Sequence, residues 1–143
     1  MASSIKTIYD KLVTEFGTMS TVDHVFQSGV ANPDGFPYIT IEWGGNEGEA
    51  RDEVHNLITY KYRVRVYQEG SSDQVGQQQA EVVVMQVADE INNLLNNNYT
   101  LDGLVDTIRV VRAEPGYAES AEGVARIGEF LLEIVKLEDN FTT

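Results

Sequence analysis

The sequence contains no cysteine. Disulfide bridges, thiolate nucleophiles and Cys-ligated zinc are excluded at the outset. Cations are scarce as well: Lys plus Arg number 10 against 23 Asp plus Glu, a formal net charge of −13. General nucleic-acid binding and docking on anionic lipid both need a surplus of Lys and Arg, and this chain has the reverse. The longest strongly apolar runs, Val82-Val83-Val84-Met85 and Phe130-Leu131-Leu132, fall far short of the roughly 20 residues a spanning helix needs. The opening Met1-Ala2-Ser3-Ser4-Ile5-Lys6 has no apolar signal core, so no secretory leader is expected. The sequons Asn98-Tyr99-Thr100 and Asn140-Phe141-Thr142 therefore carry little weight. No Gly-x-Ser-x-Gly elbow occurs and no Ser lies next to an evident base.

What remains is the composition of a soluble globular protein: 143 residues, 42% hydrophobic and 23% charged. That length suits one domain, 1–143, with a core that needs neither disulfide nor metal. Ile5, Ile8, Tyr9, Leu12, Val13 and Phe16 repeat at helical spacing, with Ser4 as N-cap and Gly17 as stop. A short strand is expected over 22–27, followed by a turn at Asn32-Pro33-Asp34-Gly35. Ile39, Ile41 and Trp43 then alternate with Tyr38, Thr40 and Glu42, the period of a half-buried strand. Residues 44–56 lack periodicity and read as a flexible acidic loop. The segment 57–69 is the strongest strand, with Tyr60, Tyr62, Val64 and Val66 on one face and Lys61, Arg63, Arg65 and Tyr67 on the other. Ser72 or Asp73 can cap a long helix over 74–97, whose stripe is Val84, Val87, Ala88, Ile91, Leu94 and Leu95. A turn at Leu101-Asp102-Gly103 leads to a strand over 107–113, and Pro115-Gly116 is a turn signal. Residues 118–123 read as a polar loop, 125–138 as a last strand and 139–143 as a loose tail. The expectation is an α+β fold: a mostly antiparallel sheet of four or five strands with two helices packed on one face.

Chemical motifs are few. His24 and His55 are separated in sequence and read as surface or loop histidines rather than a catalytic pair. Gly44-Gly45-x-x-Gly48 leads into acidic residues, not into a helix with a Lys, so no phosphate cradle and no cofactor are expected. Glu47, Glu49, Asp52 and Glu53 form an acidic cluster without EF-hand spacing, and a solvated or partner-facing loop is the better reading than a calcium site. Lys61, Arg63 and Arg65 share one strand face, and Glu129 and Glu133 on the last strand are natural cross-strand partners. The long helix holds a surplus. At 100° per residue, Val82 and Met85 lie roughly 160° and 100° around from Val84, outside the stripe that a sheet would cover. A loop or another subunit has to cover them, and the subunit reading is preferred.

With these segments in place, several stretches carry a family likeness. They are Gly35-Phe36-Pro37-Tyr38-Ile39-Thr40-Ile41 with the polar loop after it, Tyr60-Lys61-Tyr62-Arg63-Val64-Arg65-Val66-Tyr67, and the long helix. They continue with Tyr99-Thr100-Leu101-Asp102-Gly103-Leu104-Val105-Asp106-Thr107-Ile108, Gly116-Tyr117 and the strand 126–137. Over most of its length the chain resembles the tail-terminator, or tail-completion, proteins of long-tailed bacterial and archaeal viruses. The likeness rests on element order and short stretches. It departs from the family in the long acidic loop and the strong net charge.

The resemblance implies a non-enzymatic virion protein that works without a cofactor. It implies a ring of identical subunits, a hexamer, that caps the tail tube, stops its growth and meets a head-closure or connector protein. Genome DNA would pass through without specific binding, which suits an acidic protein. No membrane contact is implied, and the location is the virion neck, reached from the host cytoplasm. The candidate subunit or partner contacts are Val82, Met85, Glu47, Glu49, Arg51, Asp52, Glu53 and Tyr117. Two alternatives stand beside this reading: another neck component, such as a head-closure or adaptor protein, and a small ligand-binding or enzymatic α+β domain, which a deep pocket with convergent polar groups would favour.

Overall fold

The computed structural model describes residues 4–20, 24–27, 38–50, 55–69, 74–120 and 123–139. Helix α1 spans Ser4–Phe16 and helix α2 Gln74–Asn97. The strands are β1 His24–Gln27, β2 Tyr38–Ala50, β3 His55–Glu69, β4 Thr107–Ser120 and β5 Gly123–Asp139. They form one sheet in the order β1-β2-β3-β5-β4. β1 lies parallel to β2, and every other pairing is antiparallel. The fold is α+β, with a mostly antiparallel sheet and both helices on the same face.

The alternation of residue types dictates this one-sided arrangement. Register places Ile41 opposite Val64 and Val64 opposite Phe130, while Tyr62 faces Leu132 and Tyr60 faces Ile134. All of these are buried. Their helical complement is Ile8, Leu12 and Phe16 of α1 with Val87, Ile91 and Leu95 of α2, and together they form one core. Two tyrosines stitch α1 to the sheet in opposite directions. The Tyr9 hydroxyl donates to the Ile41 carbonyl of β2. The Tyr62 hydroxyl of β3 donates to the Ile5 carbonyl at 2.7 Å. Burial pushes the Tyr62 phenol well above its ordinary pKa, with Tyr60 and Tyr9 adding to the shift.

Four segments depart from the sequence reading. Residues 44–50 and 55–56 are not a loop: they extend β2 and β3 as a paired hairpin, with Glu47 opposite Thr59 and Glu49 opposite Leu57. A register shift between Trp43 and Asn46, at Gly45 with φ +100°, restarts the alternation. Arg51, Asp52 and Glu53 lie outside the described residues, as do Pro33, Ser72 and Asp73. Pro115 and Gly116 do not turn the chain. They lie inside β4, where an edge strand tolerates proline because the missing N–H leaves no central ladder bond broken. The supposed polar loop 118–123 is likewise mostly strand, with Ser120 paired to Gly123, and Asp139 belongs to β5 rather than to a tail; 140–143 lie outside the described residues.

The link from α2 to β4 is an unusual turn. Leu101, Asp102 and Gly103 all have positive φ, at 49°, 60° and 85°. A left-handed Leu is disfavoured, and its side chain is 1% exposed in the core. Asn98 Oδ1 accepts from the Asp102 N–H at 2.9 Å, and Lys11 of α1 forms an ion pair with Asp102. The hydrogen bond from Lys11 holds the Asp102 carboxyl below its ordinary range. A carboxyl with a depressed folded pKa stabilises above its unfolded value and loses that contribution as pH falls through the folded one. Asp102→Asn, which tolerates the same backbone, should therefore lower the thermal midpoint slightly at neutral pH. That gap should close below pH 3.8, the unperturbed value; a gap that persists in acid would show that the ion pair is not its source.

α2 sits close to the sheet because β5 carries Gly128 beneath it. A Cβ there would meet Val84 Cγ1 at 2.9 Å. Gly128→Ala should cost about 1–3 kcal/mol in urea denaturation through overpacking, and Val84→Ala should recover part of that loss. A Gly128→Ala chain as stable as the parent would show that α2 rides loosely on the sheet.

Candidate functional site

Among the described residues no helix packs on the sheet's second face, and it gathers the charges that the sequence singled out. Arg65 Nε donates to Glu129 Oε2 at 2.9 Å, and Arg63 Nε lies 3.5 Å from the other Glu129 oxygen. Glu42 lies 3.6 Å from Arg63 and 3.9 Å from Arg65. Lys61 Nζ donates to Glu47 Oε1 at 2.8 Å, and Glu133 accepts from Arg109 Nη2 at 2.9 Å. The hydrogen bonds to Glu129 and Glu47 push the pKa values of Arg65 and Lys61 up. Each of the three β3 cations thus has a carboxylate within 4 Å. Such pairs on an exposed face are individually weak. Their consequence is electrostatic: the face is neutralised locally and presents no free cationic strip to phosphate.

The helix side is different. Val82 and Met85 are 47% and 53% exposed. Met85 borders an open groove of about 220 Å³ between α2 and the β4–β5 hairpin. Val84, Ala88, Ala113, Pro115 and Phe130 supply the rest of its apolar wall. Arg126 lies at the groove with a side chain only 9% exposed. Its Nη2 reaches Glu81 Oε1 at 3.3 Å, and its guanidinium carbon sits 4.2 Å from the centre of the Tyr117 ring. Its Nε is buried without a hydrogen-bond partner. Tyr117, opposite Arg126 in the register, is largely exposed.

The exposed surface of α2 has its own character. Of its eleven exposed side chains between 78 and 97, seven are Gln or Asn and none is cationic. Amides lose less on desolvation than ammonium or carboxylate groups and both donate and accept. A face of this kind can be covered by protein at low electrostatic cost.

The two long sides of the sheet differ as well. β4 forms one edge, with Arg109, Arg112 and Val111 all exposed. On the other side β1 pairs only with residues 38–41 of β2, and among the described residues nothing pairs with the outer side of 42–50. Trp43 stands there 48% exposed, its Nε1 donating to Asn46 Oδ1 at 3.0 Å. β2 carries Glu42, Glu47 and Glu49 and no cation.

Several of these residues were not legible as a site. Arg126 and Glu81 meet only because the hairpin register sets Arg126 opposite Tyr117 and beside α2. Trp43 had been read as part of a buried strand face. The side chains of His24, Glu49 and His55 lie outside the described ones, so the acidic cluster is assembled only through Glu47. Among the described residues no group of His, Cys, Asp or Glu is arranged to hold a metal, and no helix is long and apolar enough to cross a membrane.

No family model and no curated protein matches the chain. Among solved structures it is similar to a chain of the virion of a native gene transfer agent (GTA) particle, at 14% identity over 90% of each chain and a TM-score of 0.44.

Arg126 is costly where it stands, because a buried guanidinium with an unpaired Nε forfeits solvation that one carboxylate does not fully restore. Arg126→Met keeps the volume and removes that cost. Its folding stability should match or exceed the parent's within about 1 kcal/mol. A loss above about 3 kcal/mol in urea denaturation would assign Arg126 to the fold rather than to a site.

Proposed function

We propose that this chain is a tail-terminator protein: a virion assembly protein whose copies form a ring, a hexamer, that caps the end of the tail tube and stops its polymerisation. The ring then joins the tail to the head connector. The observation that carries the reading is the exposed Val82–Met85 patch, set beside an open apolar groove on a helix face without cations. Large apolar side chains gathered at a groove mark a surface that another protein covers. The element order on which the family resemblance rests, a helix, strands, a long helix and a closing pair of strands, is also the order of this fold.

Other features are consistent with that role. The charge balance of −13 suits a passage through which DNA must slide without adhering. The groove is open and mainly apolar, whereas a small-molecule site would enclose its ligand with convergent polar groups. The proposed role needs no intrinsic catalysis, cofactor or membrane. Its partners are further copies of itself, the tail-tube protein and the head-closure or connector protein, in the virion neck.

The test combines assembly with folding. Native mass spectrometry and negative-stain microscopy of the purified chain, alone and with its tail-tube protein, should reveal a closed ring. Val82→Asp combined with Met85→Glu should leave cooperative melting intact and abolish the ring, because burial of each side chain contributes roughly 1.5–3 kcal/mol at most and that burial occurs only in the assembly. A double variant that does not fold would assign both residues to the core. A folded double variant that still completes tails would overturn the contact.

A further inference from the structure

We propose that the Asp102–Gly103 linkage is a latent isomerisation site and that docking of α1, through Lys11, keeps it closed. The inference is independent of the ring reading above. The reaction is a rearrangement of the chain itself. The Gly103 backbone nitrogen attacks the carboxyl carbon of Asp102 and a C–N bond forms. The carboxyl's hydroxyl leaves as water with the proton of that nitrogen, and the product is a cyclic imide. Water then adds to one of the two imide carbonyls and breaks its C–N bond. That step either restores aspartate or leaves isoaspartate, in which the main chain runs through the former side chain. One water is lost and one regained, so no other reactant is required.

The sequence supplies the pair that this chemistry needs. Glycine has no Cβ to obstruct the approach of its own nitrogen. The chain holds two Asp-Gly pairs, Asp34-Gly35 and Asp102-Gly103, and no Asn-Gly. Asp34-Gly35 lies outside the described residues. The Asp102 side chain is 64% exposed, so water reaches it. Asp102 also stands in the run of three positive φ angles that begins at the buried Leu101. Two non-glycine residues in that region store strain, which the surrounding contacts have to hold.

Two features of the fold hold the reaction back. The first acts on the carboxyl. A neutral carboxyl can lose its hydroxyl as water, whereas a carboxylate cannot. Lys11 of α1 pairs with Asp102 and favours the charged form. Glu15, one turn along α1, shares the Lys11 ammonium at 3.2 Å. Asp106 is engaged elsewhere, its Oδ2 accepting from the Leu137 N–H of β5. The second feature acts on the nitrogen. The Gly103 N–H donates to Thr100 Oγ1 at 3.3 Å and the Asp102 N–H to Asn98 Oδ1 at 2.9 Å. The N–H groups of Leu104 and Val105 donate to the Leu101 and Thr100 carbonyls. These bonds tie the turn to itself, and Lys11 ties it to α1. Isoaspartate would add a methylene to the main chain inside this closed turn, beside a Leu101 fixed in the core. Loss of the α1 contact is thereby coupled to lasting damage at the α2–β4 link.

The test compares the parent with Lys11→Met and Lys11→Arg, each checked for cooperative melting and incubated at about pH 6, above the ordinary carboxyl range. Isoaspartate at position 102 is read by peptide mapping with mass spectrometry and by enzymatic methyl transfer to isoaspartyl carboxyls. Lys11→Met should accumulate it several-fold faster than the parent, and Lys11→Arg at the parent's rate. Added salt, which screens an exposed pair, should speed the parent toward the Lys11→Met rate without any substitution. The excess of Lys11→Met over the parent should shrink as pH falls through 3.8 and below, because both carboxyls are then neutral. Equal rates in the parent and a folded Lys11→Met at about pH 6 would overturn the role of Lys11. A folded Lys11→Met that forms no isoaspartate at 102, over a time in which urea-unfolded parent does, would overturn the site. If Lys11→Met does not fold, the salt series decides, and a parent rate indifferent to salt sinks the proposal.

Discussion

The structure depends on a sheet whose two described helices cover the same face. The buried apolar rows of β3 and β5 follow from that constraint, whereas Tyr38 and Thr40 of β2 are buried on the opposite face. Tyr60, Tyr62, Val64 and Val66 of β3 must share a parity with Phe130, Leu132 and Ile134 of β5, because a one-residue slip in either strand would turn a whole apolar row outward. Close approach of the helix layer then requires Gly128 beneath Val84. The crossed hydrogen bonds of Tyr9 and Tyr62 fix α1 over the same rows without leaving a buried hydroxyl unsatisfied.

The charged face meets the opposite requirement. It must be soluble without drawing in the wrong partner. Arg63 and Arg65 share Glu42 and Glu129, Lys61 takes Glu47, and Arg109 takes Glu133. Four of the chain's ten cations are committed to this paired surface. The chain's excess of negative charge therefore lies elsewhere, including α2, which has Glu81, Asp89 and Glu90 and no Lys or Arg.

The sequence was most readable where a strand lies under a helix. There one face is apolar, the other polar, and the period of two is plain, as in 57–67. It was least readable where strands run past the helix layer. Residues 44–50 and 113–120 are strand, yet Asn46, Glu47, Gly48, Ala113, Glu114 and Pro115 are exposed, so no apolar alternation records them. Glycine and proline in those segments then look like turns, whereas they mark a bulge and an edge. The charges on the open face were legible as cross-strand pairs because β3 and β5 were both read as strands with usable parity. The groove was not, since Arg126, Glu81 and Tyr117 are brought together by a hairpin register that the reading had replaced with a loop.

Net charge sets the terms on which copies of this chain can come together. Molecules each carrying a formal −13 repel at a distance, and that repulsion is screened beyond about 8–10 Å at ordinary ionic strength. Cohesion must then come from short-range contacts that bring little further negative charge together. On α2 the exposed amides hydrogen-bond without charge, and Val82 and Met85 are the exposed side chains that burial would favour. With four of the ten cations paired to carboxylates on the charged sheet face, and Arg112 and Arg126 bridged to Glu114 and Glu81, ion pairing inside the molecule uses up most of its positive charge, and uncharged contacts are what such an acidic chain has left to be covered through at least cost.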